Sequence, residues 1–208
     1  MTAPSRYRRE VVPRLLNVCL GSWTTRALRA DVCDGLVGEV VEIGFGSGLN
    51  VPFYPPDVTA VAAVEPADVG WQLAGRRVAA SPVPVRRSGL DGQCLPFDDD
   101  VFDAALSTWT LCSIPDAAAA LRELRRVLRP GGRFHFLEHG RAPDARVRRV
   151  QRWMRPLQSA VFGGCDFTKP VMTLIDDAGF EVDTVRSFYQ RAAPKYVGAD
   201  SLGVAISP

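Results

Sequence analysis

The run VVEIGFGSGLN (residues 40–50) holds four residues whose types and spacing can bind a ligand: Glu42, Gly44, Gly46 and Gly48. Glycine admits backbone angles closed to other residues and lets a ligand reach the main chain with no Cβ in the way. The dinucleotide pattern G-x-G-x-x-G seats a pyrophosphate on a helix N-terminus. Here the glycines alternate instead, and an acid stands two residues before the first. A carboxylate so close to the loop repels a pyrophosphate but accepts hydrogen bonds from an ammonium group. The pattern therefore favours a zwitterionic ligand with a positive charge. The competing reading is a tight strand-to-helix turn that holds nothing.

Two further carboxylates follow in order. Glu65 closes AVAAVEP, about twenty residues after the glycines, where a strand-end acid can accept both hydroxyls of a ribose. Asp91 stands in a loop after the third expected strand and can accept from an adenine amino group, with Gly92 beside it. His139, one of two histidines, stands at the C-terminal end of an expected central strand. It is the candidate base or acceptor-orienting group, because imidazole titrates near neutrality; a capping or surface histidine is the alternative. His135, inside the same strand, reads as structural.

These residues need a parallel sheet to bring them together. After Gly38 short β-branched runs alternate with longer helical patterns, the mark of βαβ units. Strands are expected at residues 39–43, 59–64, 83–87, 102–108, 133–138, 181–188 and 195–207, the last two an antiparallel hairpin because no helix fits between them. Helices are expected at residues 69–80, 116–128, 145–162 and 169–178, with one or two more between residues 7 and 34, where apolar residues recur at helical spacing. LRPGGRF ends a helix with a Pro-Gly-Gly break and turns into a strand. In an open sheet of this kind ligands bind beyond the C-terminal strand ends, where strand order reverses. Residues 1–36 are expected as a helical lid and residues 37–208 as one ligand-binding domain.

The 208 residues suit a single α/β domain. With 47% apolar and 23% charged residues the chain is an ordinary globular protein, and its net charge of +2 gives no case for nucleic acid. Arginines cluster at Arg141, Arg146, Arg148, Arg149, Arg152 and Arg155, which suits a solvated helix face or an anionic or lipid-surface contact. Five cysteines lie far apart with no CxxC, so no metal site and no disulfide framework is expected and the cytoplasm is the default compartment. No apolar run is long enough to span a bilayer, and the N-terminus shows no apolar core that would mark a signal or anchor.

The ordered set VVEIGFGSG, strand-end Glu65, LDGQCLPFDDDVFD and LRELRRVLRPGGRFHFLEH resembles the successive motifs of the class I S-adenosylmethionine-dependent methyltransferases, over residues 38–187. The resemblance implies a Rossmann-like α/β fold: a seven-stranded, mostly parallel sheet with a C-terminal antiparallel hairpin and helices on both faces. It implies S-adenosylmethionine as cofactor and S-adenosylhomocysteine as product. Glu42 would then face the methionine ammonium, Gly44, Gly46 and Gly48 would line the methionine tail, and Glu65 would take the ribose hydroxyls. Asp91 and the Gly92 backbone would hold the adenine edge, with Asn50, Pro66, Thr108 and Trp109 beside the cofactor.

Within the family, NVPFYPP, TLCSIPD, LRPGGRFHFLEHGRAP and GGCDFTKPVMTLIDDAGF look like the group that includes the animal membrane-associated thiol S-methyltransferases. Those animal proteins carry an apolar N-terminal anchor that has no counterpart here. LPFDDDVFD is also similar to the quinone-ring C-methyltransferases. The expected activity is methyl transfer to a small acceptor, thiol or sulfide first, with an O-, N- or C-acceptor of a small lipophilic metabolite or a non-catalytic binding module as alternatives. Tyr7, Leu111, Cys112 and Cys165 are the candidate acceptor-side residues, with Tyr54 a second tyrosine that could close over the ligand. Either cysteine could equally be a small buried hydrophobe, the commoner role. Asp166 and Lys169 could orient a polar acceptor or form a surface pair. Peripheral membrane contact and oligomeric state stay open.

Overall fold

Val40 and Val41 are both fully buried but belong to clusters on opposite sides of one sheet, as successive residues of a strand must. The computed structural model describes residues 6–191 and 193–208, and all their side chains except that of Arg8. Its sheet has seven strands: β1 Gly38–Ile43, β2 Val58–Val64, β3 Val85–Gly89, β4 Phe102–Thr108, β5 Leu128–His139, β6 Glu181–Tyr189 and β7 Ala199–Ile206. Their spatial order is β3-β2-β1-β4-β5-β7-β6. The first five run parallel, and β7 is antiparallel to both β5 and β6. This is the expected fold class. Strand order reverses between β1 and β4, where Ile43 pairs with Ser107.

Helices cover both faces. On one, α4 (Ala117–Val127) and α6 (Val171–Asp177) bury Leu121, Leu124 and Ile175 against Val41, Ile43, Phe134 and Phe136. On the other, α2 (Trp23–Cys33) packs Val32 and Cys33 against Val40, Ala104 and Leu106. α3 (Asp68–Ala79) adds Ala74 beside Phe45 and Ala63. The chain enters through a wide turn at Tyr7–Val11 and α1 (Val12–Cys19). The first five residues of the expected lid lie outside the described residues. Its last part, α2, packs onto a face of the sheet, with Leu36 also fully buried. α5 (Ala145–Val161) connects β5 to the loop before α6.

Three strand starts differ from expectation by two residues or more, each for a local reason. β3 begins at Val85, two residues late, because Pro84 has no N–H and joins the ladder only through its carbonyl, which accepts from Val61 N at 2.9 Å. Pairing in β5 begins at Leu128, five residues early: Gly131 takes φ +79, and the Pro-Gly-Gly turn is absorbed as a register shift between Phe102 and Ala104. β7 begins at Ala199, because the chain before it turns and Val197 N and Gly198 N both bond to Pro194 O.

Candidate functional site

The glycine loop leaves β1 at the point where strand order reverses, and all three of its alternating glycines are left-handed: Gly44 φ +65, Gly46 φ +57 and Gly48 φ +70. A Cβ on Gly44 would lie 2.1 Å from Thr110 Oγ1, so this glycine lets the β4 loop close against β1. A Cβ on Gly46 would meet only Gly44 O, at 3.7 Å. Gly46 therefore faces open space, and the cradle opens there.

Glu42 is buried at the end of β1. Its Oε1 accepts from Asn50 Nδ2 at 2.9 Å and its Oε2 accepts from the Tyr54 hydroxyl. Burial pushes its carboxyl up to about 7, against the opposing effect of the Tyr54 and Asn50 hydrogen bonds and the Arg29 charge. Asn50 also donates to Thr108 Oγ1 at 3.0 Å and accepts from Arg29 at 2.6 Å. Arg29 is only 4% exposed, and its guanidinium also lies 4.8 Å from the centre of the Trp109 ring. Desolvation lowers its pKa to about 10, partly offset by Glu42. Tyr54, expected above the ligand, is thus a direct partner of the acid.

Glu65 follows directly on β2 with both oxygens engaged: Oε2 accepts from Gly46 N at 2.6 Å and Oε1 from Ala67 N at 2.7 Å. Each oxygen keeps a second lone pair, so the carboxylate can still accept from a diol. Burial raises its pKa, and the two backbone donors oppose the shift. Pro66 follows it at the strand end. Asp91 is exposed and its Oδ1 accepts from the backbone and side chain of Gln93. A Cβ on Gly92 would lie 3.4 Å from Ile114 Cδ1 and 3.7 Å from Ile43 Cβ, which sets this loop against the end of β1.

A second group of polar and aromatic side chains gathers at the ends of β4 and β5. His139 is 7% exposed, and its Nδ1 bonds to Asp200 Oδ1 at 2.5 Å. The other Asp200 oxygen accepts from Trp109 Nε1 at 3.3 Å and from Gln190 Nε2 at 2.5 Å. Because a carboxylate only accepts, Nδ1 carries the proton and Nε2 is left as the basic nitrogen. Burial alone would lower the His139 pKa, but the hydrogen bond and charge of Asp200 outweigh it and the pKa rises. Trp109 adopts φ +50 and lies between Arg29 and His139, its ring centre 5.8 Å from that of His139. A chain of contacts therefore runs from Glu42 through Asn50, Arg29 and Trp109 to Asp200 and His139.

Leu111 and Cys112 are fully buried, and Cys165 is 6% exposed. The Cys112 and Cys165 sulfurs lie 2.8 Å apart, and the neighbouring thiol together with burial holds Cys112 protonated. Tyr7 is half-exposed and donates to Val161 O at 2.8 Å, at the C-terminal end of α5. Lys169 and Asp166 do not pair with each other: Lys169 Nζ donates to Leu111 O at 3.0 Å and to Ile114 O, while Asp166 meets Arg155 at 2.9 Å. Lys169 thus fastens the β4 loop.

Sequence reasoning gave no role to Asp200, Arg29 or Glu138. Glu138 is fully buried, and its Oε1 accepts from Ser107 Oγ, Thr110 N and Leu111 N at 2.6, 3.0 and 3.2 Å. It holds the β4 loop in position. A lone Asp in the otherwise small and apolar ADSLGVAI was the available signal for Asp200. Arg29 carried none, since an arginine on a helix is ordinarily solvated.

The methyltransferase-domain family matches residues 41–136, from β1 into β5. The human thiol S-methyltransferase TMT1A is 30% identical over 148 residues, 68% of this chain and 59% of that protein. The 2-phytyl-1,4-naphtoquinone methyltransferase of Synechococcus elongatus is 34% identical over 155 residues, 71% of this chain and 57% of that protein. The chain thus spans under three fifths of the length of these curated relatives. A solved S-adenosylmethionine-dependent methyltransferase from Thermotoga maritima shares the fold at a TM-score of 0.70 and 23% identity, over 97% of this chain and 98% of that one. The domain match, the strand order and the left-handed glycine loop agree: residues 41–136 match the methyltransferase domain, on the Rossmann-like fold of the S-adenosylmethionine-dependent methyltransferases.

Proposed function

We propose that the protein transfers a methyl group from S-adenosylmethionine to a small acceptor, a thiol or sulfide first. One observation carries this reading: Glu42, three left-handed glycines and Glu65 converge at the adjacent ends of β1 and β2, while His139 on β5 and its neighbour Asp200 on β7 stand two and three strands from β1 at the same end of the sheet. The residues present fit the cofactor. Gly46 opens onto free space, Glu42 can answer a cationic ammonium, and Glu65 has lone pairs for the ribose hydroxyls. Asp91 and Gly92 remain for the adenine edge. Bound there, the sulfonium supplies the methyl group.

The chain's own residues prepare the acceptor. His139 Nε2 takes the proton of the acceptor S–H, and Asp200 keeps Nδ1 protonated and the ring oriented. Trp109 backs the ring and, with Leu111, walls the site from water. Ordinary thiols are already ionised to a few per cent at neutral pH, so the base raises the rate without being indispensable. Alignment contributes more, roughly 7–11 kcal/mol in well-oriented reactions. A lipophilic quinone, phenol or amine acceptor is the second reading. The buried His139 and Asp200 pair favours it, since those acceptors need a base more urgently than a thiol does.

The test is product analysis with S-adenosylmethionine and a panel of alkyl thiols, phenols and naphthoquinols. Methyl sulfide formation that exceeds O- and C-methylation supports the thiol reading. Methylation confined to the ring substrates replaces it with the second. Ligand at a hundredfold over its dissociation constant stabilises by about 2.7 kcal/mol, so an unchanged melting temperature with both cofactor forms would overturn the proposal.

A further inference from the structure

The helix α5 shows an inverted polarity. Its buried residues are Gln151 and Gln158, while Val150, Trp153 and Leu157 are 41%, 79% and 60% exposed. At 3.6 residues per turn these three fall within about 60° of one another and form a stripe along the helix. A surface helix ordinarily turns such a stripe to the core. Here polar bonds do the docking. Gln151 Oε1 accepts from Ala142 N at 3.0 Å and its Nε2 donates to Gly140 O at 3.1 Å, while Gln158 Nε2 donates to Cys165 O at 3.2 Å. With the helix tied inward by its two glutamines, Val150, Trp153 and Leu157 are left facing out.

The same outer face is cationic. α5 holds five arginines and no Asp or Glu, and Arg146, Arg149, Arg152 and Arg155 are exposed. Among the described residues only Arg155 of these pairs with a carboxylate, Asp166 at 2.9 Å. The whole chain nets only +2, so the rest of it is net negative and the positive charge is local to this helix. No helix among the described residues is long and apolar enough to cross a membrane. An amphipathic helix with arginines flanking a Trp and Leu stripe instead lies in the plane of a bilayer surface.

We propose that the outer face of α5 docks the protein onto an anionic lipid surface. Val150, Trp153 and Leu157 enter the interface, and Arg146, Arg149 and Arg152 meet lipid phosphates. Charge complementarity selects an anionic partner. The stripe selects a bilayer over a nucleic acid, which has phosphates for the arginines but no apolar phase for Leu157 and Val150. A two-fold contact with a second copy would set one cluster of arginines against another, which is repulsive.

The experiment is co-sedimentation of the full chain with phosphatidylcholine vesicles, alone or mixed with phosphatidylglycerol, at low and high salt. The expected result is partition onto the mixed vesicles, little onto phosphatidylcholine alone, and release by salt. Arg149→Gln and Arg152→Gln should each weaken the partition about fivefold. Trp153→Ser should abolish it, with the melting temperature unchanged because the side chain is exposed. No partition onto anionic vesicles, or partition that all three substitutions leave intact, overturns the proposal. So does dimerisation that Trp153→Ser abolishes, or a preference for a short nucleic-acid duplex over the vesicles.

Discussion

Asp200 is the residue whose role is most sharply set by its surroundings, because it answers three donors with two oxygens. Asp200→Asn keeps the volume but puts an amide where Nδ1 of His139 donates. The acid limb of the activity profile should then move to lower pH, since the partner that raises the His139 pKa is gone. Turnover should fall about a hundredfold if the imidazole works as a general base. Rate measurements across pH on native and variant protein check both. Equal limbs and equal rates would show that the pair only fills space. Glu138 is different in kind: it touches no open space and holds three donors of the β4 segment. Glu138→Ala strands all three and should cost roughly 3–5 kcal/mol. Glu138→Gln keeps a carbonyl acceptor and should cost much less. Urea midpoints at unchanged slope separate the two.

The glycine loop shows what an element contributes beyond its residues. Gly44 and Gly46 share a left-handed backbone, yet their neighbours differ. Gly44→Ala drives a Cβ into Thr110, where the β4 loop closes on β1, and combines backbone strain with overpacking. It should destabilise the fold by roughly 2–5 kcal/mol. Gly46→Ala meets no such wall, so only the backbone term of about 1–2 kcal/mol applies. Its larger effect should be on S-adenosylmethionine, with affinity reduced tenfold or more because the methyl group enters the cradle. Melting curves with and without cofactor distinguish these outcomes. Equal loss of cofactor affinity at both positions would mean that the loop opens differently.

At the scale of the molecule the buried acids link folding, cofactor and pH. Glu42 titrates at about 7 in the folded chain against 4.5 for the ordinary group. A raised carboxyl binds its proton more tightly in the folded state. The stability tied to that proton is therefore complete below about pH 4.5 and lost by about pH 7, on the order of 3 kcal/mol. Glu42→Gln should flatten this part of the stability curve. A cationic ammonium beside Glu42 favours its ionised form, so the melting shift from S-adenosylmethionine should be larger at pH 8 than at pH 6. Calorimetry in buffers of different ionisation enthalpy should register proton release on binding at pH 6. A pH-independent shift, with no proton released, would place the ammonium elsewhere.

Much of this protein is legible in its sequence because the informative signals are local. The alternation of Val40, Val41 and Ile43 marks a buried strand, and glycines at alternate positions after Glu42 mark a left-handed loop at its end. The place of Glu65 could be read because an acid at a strand end follows from chain order alone. His139 was visible for the same reason. What the tertiary structure decided are the pairings that cross the chain. Asp200 lies 61 residues from His139, on a strand that inserts between β5 and β6 instead of following in sequence order. Arg29 turns inward because Asn50, Thr108 and Leu20 O accept from its two terminal nitrogens and the Trp109 ring backs it, its Nε alone staying without a partner. The arginines and apolar residues of α5 could be counted in the sequence, but helical spacing alone turns an apolar stripe inward. Only the folded chain, with Gln151 and Gln158 bonded inward, shows that this stripe faces out.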